Sequence, residues 1–377
     1  MNDISDYKKK KKTYFLNLYG LRFVAALFIF VFHAFTLFRE NWIDIHESRL
    51  YSYFISKGQL GVNLFFILSG FLISYLALEK NSDAQPYTGW RFLKQRSLRI
   101  LPLYFLFVGF CYLLFPLAPW GETPIYDISS FYSFTFNFEE IETGALDHLN
   151  YLTPLWTIAV ECQYYFLVAL ILFLFRKKTA IAFYLLYPLL IVVSLIFRFL
   201  HGEETDIIYY HSFSVMSDFG IGGLLAVSYY QNKIQRYFKS LNLPIRLGVY
   251  LVILSMLLFQ YQIFTPALRW GERFVIGLAF GFILIDLITN SKKTFFLEHN
   301  NFIRKMGISS YGFYVYHVFV LYTLTSLTLY FDLSYSPLLL FLYISLSLFI
   351  SLGWAKISYR YFELPIQNYL RKKDIKL

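Results

Sequence analysis

Two side chains stand where they are costly to bury. Arg22 and His33 both fall within Leu16 to Phe38, an almost unbroken apolar run. Eleven residues make close to three helical turns, so both lie on one face with α-carbons roughly 16 Å apart along the axis, about half a bilayer core. Inside a membrane-length helix a cation and an imidazole belong on a protein-lined or watered interior, where such groups mark substrate or proton paths. An imidazole held there can act as a general base near neutral pH. The plainer alternative has Arg22 snorkelling to the near interface and His33 hydrogen-bonded between helices. Glu161 lies about six residues below the outer end of its own apolar run and His33 about five below the end of its run, so the two count to comparable depth. A carboxylate beside the ring would orient it and raise its basicity. Equally, such a pair would serve only to hold two helices together.

Other polar residues recur at useful spacings. Arg96 and Arg99 are three apart, hence neighbours on one helical face, with Arg91 and Lys94 nearby. Such a pair at an inner mouth can hold the phosphates of a nucleotide-bearing substrate, or simply anchor the helix on the cytoplasmic side. Ser69 and Gly70 permit close approach of a helix or of a slender ligand. Tyr311, Tyr314 and His317 recur at three-residue steps on a nearly common face, as packing aromatics or as a lining. Asp218, Arg198, Glu272 and Arg273 are expected in the outer half, as lining or as loop-end charges. Glu363, before Pro365, reads most simply as part of a cytoplasmic helix end. Cys111 and Cys162 sit in apolar segments and give neither a disulfide framework nor a zinc cluster, so no metal is expected.

The elements that must position these residues follow from hydropathy. Of 377 residues 57% are hydrophobic and 15% charged, where a soluble chain carries about a quarter charged. The class is therefore an all-α polytopic membrane protein. Ten transmembrane helices are expected near 16–38, 58–79, 99–117, 155–175, 180–200, 208–229, 246–264, 273–290, 308–330 and 335–357. The sixth and eighth are the weakest, interrupted by Asp218, Gly220, Gly222 and Gly223 and by Gly277, Gly281 and Asp286. Most of the 34 Lys and Arg fall in alternate segments, at Lys8 to Lys12, Lys80 to Arg99, Arg176 to Lys178, Lys233 to Arg246, Lys292 to Lys305 and Lys356 to Lys376. The opposite side keeps only Arg39, Arg49, Lys57, Arg198, Arg269 and Arg273. The positive-inside rule then puts both termini in the cytoplasm. It also accounts for the net charge of +10 without a nucleic-acid partner. The organisation expected is a basic tail at 1–15, one membrane domain at 16–369 and a second basic tail at 370–377, with no soluble domain at either end and no cleaved signal peptide. The outer loop at 118–154, with Trp120, Pro124, Asp127, Asp147, His148 and Pro154, is too long for a simple connection and should fold over the outer mouth.

Taken in order, these stretches resemble the acyltransferase 3 family of integral membrane proteins that O-acylate bacterial surface glycans. The resemblance is carried by Arg22 with ten residues before His33, Gly61-Val62 through Phe65-Phe66 to Ser69-Gly70-Phe71-Leu72, and Arg96 through Arg99-Ile100 to Pro102 and Tyr104. It continues in Trp156-Thr157 through Glu161 to Tyr165, Ser310-Tyr311-Gly312 through His317, and Glu363 with Pro365. It implies a ten-helix fold in the bacterial cytoplasmic membrane that takes an acyl group, acetyl being the expected one, from acyl-coenzyme A inside the cell. The group is delivered to a hydroxyl of a glycan or glycolipid outside. In proteins of this kind the arginine and histidine of the first span are the essential pair. On this reading His33, Arg22 and Glu161 form the catalytic set. Arg96, Arg99, Tyr104, Ser69, Gly70, Tyr311 and His317 bind the donor, which is a substrate; no permanently bound cofactor is implied. Some members carry a further extracytoplasmic esterase-like domain, so a separate extracytoplasmic partner is an expectation here. The competing class is a transporter or exporter of a glycan or lipid-linked precursor, with His33 and Glu161 as a proton relay.

Overall fold

The computed structural model describes residues 15–42, 55–81, 87–119, 121–144, 150–290, 301–334 and 336–374. The basic tail before residue 15, and Trp120, Asp147 and His148 of the outer loop, lie outside the described residues. Among those described, every regular element is helical. Ten long helices run in chain order: α1 (Leu16–Trp42), α2 (Gly61–Asn81), α3 (Gly89–Leu113), α4 (Trp156–Leu174), α5 (Thr179–Leu200), α6 (Ser212–Tyr230), α7 (Leu243–Leu258), α8 (Arg269–Thr289), α9 (Ser310–Tyr330) and α10 (Pro337–Ser358). Each falls on one of the ten expected spans.

Length and composition separate them. Seven of the described helices, α1 to α5 with α9 and α10, are long and apolar enough to cross a membrane, and α7 makes an eighth if joined to the short helix Lys233–Ser240, which meets it at 103°. The remaining two, α6 and α8, are the sixth and eighth of the expected spans. Both carry buried charge, Asp218 in α6 and Arg273 and Asp286 in α8. The explanation lies in packing. α6 is buried along most of its length among α2, α5 and α8, and a helix walled by protein need not be apolar all round.

Small residues set the closest crossings. A methyl group on Gly70 of α2 would sit 2.5 Å from the Phe219 carbonyl oxygen of α6, and one on Gly222 would strike Ile67 of α2 in turn. Small-residue contacts of this kind let transmembrane backbones approach without a hydrophobic driving force. Aromatic rings fill the seam above and below, as where Tyr164 of α4 stacks on Phe219 at 4.2 Å between centroids. Charge ties the same bundle together. Arg273 donates from Nε (2.9 Å) and Nη2 (2.6 Å) to one oxygen of Asp218, and Arg246 of α7 donates to Asp286 at 2.7 Å. Arg198 of α5 pairs with no carboxylate among the described residues; it is satisfied by the Ile208 carbonyl (2.9 Å), the Ser214 hydroxyl (2.8 Å) and the carbonyls of Trp270 and Arg269 (both 3.2 Å). Asp218, Arg198 and Arg273, expected in the outer half as lining or loop ends, act here as interhelical ties.

The long loop expected on the outer side carries two helices among its described residues, Ile128–Ser133 and Phe136–Thr143. Tyrosines at the tops of the long helices hold it. Tyr112 of α3 donates to the Tyr126 carbonyl (2.7 Å), Tyr322 of α9 to Glu122 (2.5 Å), and Gln163 of α4 to the Phe134 carbonyl (2.7 Å). Within it Glu140 is wholly buried, with the Tyr126 and Thr153 side chains beside its carboxyl group. Burial pushes its pKa well above the ordinary value of 4.5.

Candidate active site

The polar residues inside the bundle form two levels. At the inner level α1, α2, α3, α4 and α9 converge on a cavity of about 30 Å³, lined by Arg22, Ser69, Leu72, Ile73, Arg96, Arg99, Ile100, Glu161, Tyr165 and Tyr311. That volume holds little more than one water. Helical spacing explains the lining: Arg96 and Arg99 are i and i+3 on α3, and Glu161 and Tyr165 are i and i+4 on α4, so each pair shares a face. Glu161 Oε1 accepts the Ser69 hydroxyl at 2.5 Å, and the Tyr311 hydroxyl donates to the Ile100 carbonyl at 2.8 Å. Among the described residues no hydrogen bond or ion pair joins Arg22, Arg96 or Arg99 to a carboxylate. The cavity thus gathers three guanidinium groups and one carboxylate, a net positive space in a low-dielectric surround, suited to an anionic ligand.

The outer level is a pair of histidines. His33 Nδ1 lies 2.9 Å from His317 Nε2, with the rings inclined by 22° and 5.1 Å between centroids. His317 Nδ1 lies 2.6 Å from the Tyr314 carbonyl oxygen. The Tyr314 hydroxyl donates to the Pro154 carbonyl at 2.9 Å and accepts from Thr157 at 2.9 Å, locking this turn of α9 against the start of α4. Phe32 packs against His33 and Phe313 against His317.

The expected residues therefore divide differently from their expected roles. His33 faces the bundle interior, 9% exposed, and its partner is His317, which had been expected along the donor's path. The expected Glu161–His33 pairing is corrected: Glu161 belongs to the arginine cavity. Tyr311 lines that cavity and His317 meets His33; the two are six residues apart on α9, so the levels differ by roughly 9 Å. Counting from helix ends misjudged this because α4 begins inside the bundle, behind a 3₁₀ turn at Thr153–Leu155 under the outer loop. Arg22, Arg96, Arg99, Ser69 and Tyr311 do come together. Gly70 packs on the α6 backbone, and Tyr104 turns outward to donate to the Phe131 carbonyl at 3.1 Å, anchoring the loop.

Two further residues, quoted in the sequence motifs without a role in the site, stand at or beside it. Tyr165 lines the cavity, and its signal was the four-residue step from Glu161. Glu363 is buried, not at a free helix end. It closes a π-helical turn, Tyr359–Glu363, accepts the Ser358 hydroxyl at 3.3 Å and lies within electrostatic reach of Arg99. π-helical turns concentrate at functional sites. Gly312 of α9 leaves Glu363 room: an added methyl there would lie 3.3 Å from the Glu363 carboxylate.

Comparison with known proteins gives the family. A family model described as an acyltransferase domain matches residues 15–356. O-acetyltransferase OatA of Staphylococcus aureus (strain NCTC 8325 / PS 47) is 24% identical over 400 residues, covering 99% of this chain and 60% of that protein. A putative O-acetyltransferase of S. aureus strain COL, SACOL0978, is also 24% identical, over 404 residues, with 100% of this chain and 60% of that protein covered. The chain thus spans about three-fifths of the length of these relatives. No solved structure matches it. Because the family match runs from α1 almost to the end of α10, through both levels of buried polar groups, this chain belongs to the acyltransferase 3 family.

Proposed function

We propose that the protein is a membrane O-acyltransferase that takes an acyl group, acetyl in the first instance, from coenzyme A on the cytoplasmic side and passes it to a glycan hydroxyl on the outer side. The observation that carries this reading is the cavity in which Arg22, Arg96 and Arg99 meet a single carboxylate, one level inward of a buried histidine. A donor with phosphates at one end and a thioester at the other matches that sequence of chemistry. Arg96 and Arg99 bind phosphate oxygens at the inner mouth. The narrow arm passes Tyr165 and Tyr311, widening a cavity that is small without it. Arg22, roughly 16 Å from His33 along α1, supports charge on the arm and is too far for oxyanion stabilisation while the helix stays intact.

At the outer level His33 takes the proton of the acceptor hydroxyl as its oxygen attacks the thioester carbonyl. The C–O bond forms, the C–S bond breaks and the proton passes on to the departing thiolate. The printed names of the relatives, O-acetyltransferases, support acetyl as the group. A bacterial cytoplasmic membrane, ten crossings with both termini inside, and a separate extracytoplasmic partner for the acceptor step complete the proposal.

The test is reconstitution in sealed vesicles with acetyl-coenzyme A on the face of the basic loops and a glycan acceptor on the other. Thiol release and acceptor acetylation should both require acceptor, and His33→Ala should abolish them in protein that stays monodisperse. Acceptor carried across the bilayer along a proton gradient, with no coenzyme A bound or released, would refute the proposal in favour of a proton-coupled transporter.

A further inference from the structure

We infer that His317 is a positioning residue for His33: it holds the His33 ring with its proton on Nδ1, so that Nε2 is the nitrogen that receives the acceptor's proton. The argument runs from one fixed point. A backbone carbonyl only accepts, so His317 Nδ1, 2.6 Å from the Tyr314 oxygen, must carry a hydrogen. In the neutral ring His317 Nε2 is then a bare acceptor. His33 Nδ1 lies 2.9 Å from it, and two bare nitrogens at that distance would repel, so His33 Nδ1 is the donor. The lone pair of a neutral His33 consequently sits on Nε2, which no group hydrogen-bonds among the described residues.

The carbonyl that starts this chain is itself held, since the Tyr314 side chain is fixed to Pro154 and Thr157. The ring is therefore oriented through His317 and Tyr314 of α9, held in turn by Thr157 of α4 and Pro154 of the turn before it, as a metal-bound histidine is oriented by a carbonyl or carboxylate behind it. Among the described residues no carboxylate hydrogen-bonds or ion-pairs with His33, whose Nδ1 meets His317, and Glu161 accepts from Ser69 a level inward. When Nε2 takes the acceptor's proton, the resulting cation is shared along the Nδ1–H to His317 hydrogen bond until the thiolate leaving the acyl carbon is protonated.

This inference rests on His33 being the base of the proposed reaction, and its test separates the two. In lipid bilayers, ¹⁵N spectra of histidine-labelled wild-type protein at pH 8, with the His33 signals assigned by their loss in His33→Gln, should show His33 protonated at Nδ1 and bare at Nε2. A hydrogen on Nε2 instead overturns the inference whatever the activity. For turnover, His317→Gln presents an amide oxygen near the former Nε2 and should stay within about tenfold of wild type. His317→Phe keeps the ring but cannot accept, and kcat should fall roughly 10²-fold with the donor's KM unchanged, the scale of a general base's contribution. Phe at wild-type kcat, or Gln as slow as Phe in equally stable protein, overturns it. If His317→Phe does not fold, the wild-type spectrum decides alone. Wild-type protein with the expected tautomer but no transferase activity would sink the functional proposal and leave the positioning of the ring standing.

Discussion

Glu161→Gln is an unusually clean perturbation. Glutamine keeps the shape of the side chain and its Oε1 can still accept the Ser69 hydroxyl that Glu161 now accepts at 2.5 Å, so only one charge is removed. The cavity then holds three guanidinium groups and no carboxylate. Unit charges about 6 Å apart interact by roughly 3 kcal/mol at an effective dielectric of about 20, and by roughly 2 kcal/mol at about 8 Å. The first figure is the scale of what each arginine loses, softened as the side chains turn apart. The second is the repulsion that an anionic group seated among the arginines no longer meets. Two effects of opposite sign follow. The unliganded protein should lose about 1–3 kcal/mol, lowering its unfolding midpoint by a few degrees. Coenzyme A should bind more tightly, by roughly 30-fold for 2 kcal/mol. The assay is calorimetric titration of coenzyme A into detergent-purified protein, with thermal melts with and without ligand. Weaker or unchanged binding at unchanged stability would refute the electrostatic reasoning and make Glu161 a direct ligand contact.

Three further outcomes test the fold around the site. Gly70→Ala puts a methyl 2.5 Å from the Phe219 carbonyl oxygen and should cost about 1–3 kcal/mol of stability by overpacking, read as a lower melting midpoint; an unchanged midpoint would mean the α2–α6 crossing is looser than described. Arg273→Leu leaves Asp218 buried and unpaired and should cost about 3–5 kcal/mol, whereas adding Asp218→Leu should recover most of that loss; equal midpoints for the single and double variants would contradict it. Glu140 keeps its proton in the folded protein to a higher pH than in the unfolded chain, so its contribution to stability is intact below the unfolded value near 4.5 and is lost as pH rises above it. Glu140→Gln should therefore melt higher than wild type at pH 7 to 8, with the gap closing toward pH 4; a constant gap across that range would show that Glu140 does not titrate as its burial requires.

Much of the architecture was readable before any coordinates, because a bilayer imposes a length and a polarity on each helix. Each expected span overlaps a long helix; the two weakest, α6 and α8, are not apolar enough to cross a membrane, and α7 is so only when joined to Lys233–Ser240. Their polarity was itself information, since α6 is buried along most of its length and the charges of α8 are paired inside the bundle. The site was readable in part. Arg22, Arg96, Arg99, Ser69 and Tyr311 were all named and all line one cavity. Tyr104 and Gly70 were named for the donor and serve the outer loop and a helix crossing.

The sequence by itself determined that charge and imidazole lie within membrane-length helices, that Arg22 and His33 share a face three turns apart, and that Arg96 and Arg99 share a face of another helix. These follow from helical rise and from the cost of placing charge in hydrocarbon, which act along one helix at a time. Only the tertiary structure decided partners: Glu161 with Ser69 and the arginines, His33 with His317, Glu363 beneath α9. A residue's place in a helix gives its height, whereas its partner depends on how each helix is turned about its axis and where its neighbours begin. Those are properties of packing between helices distant in the chain.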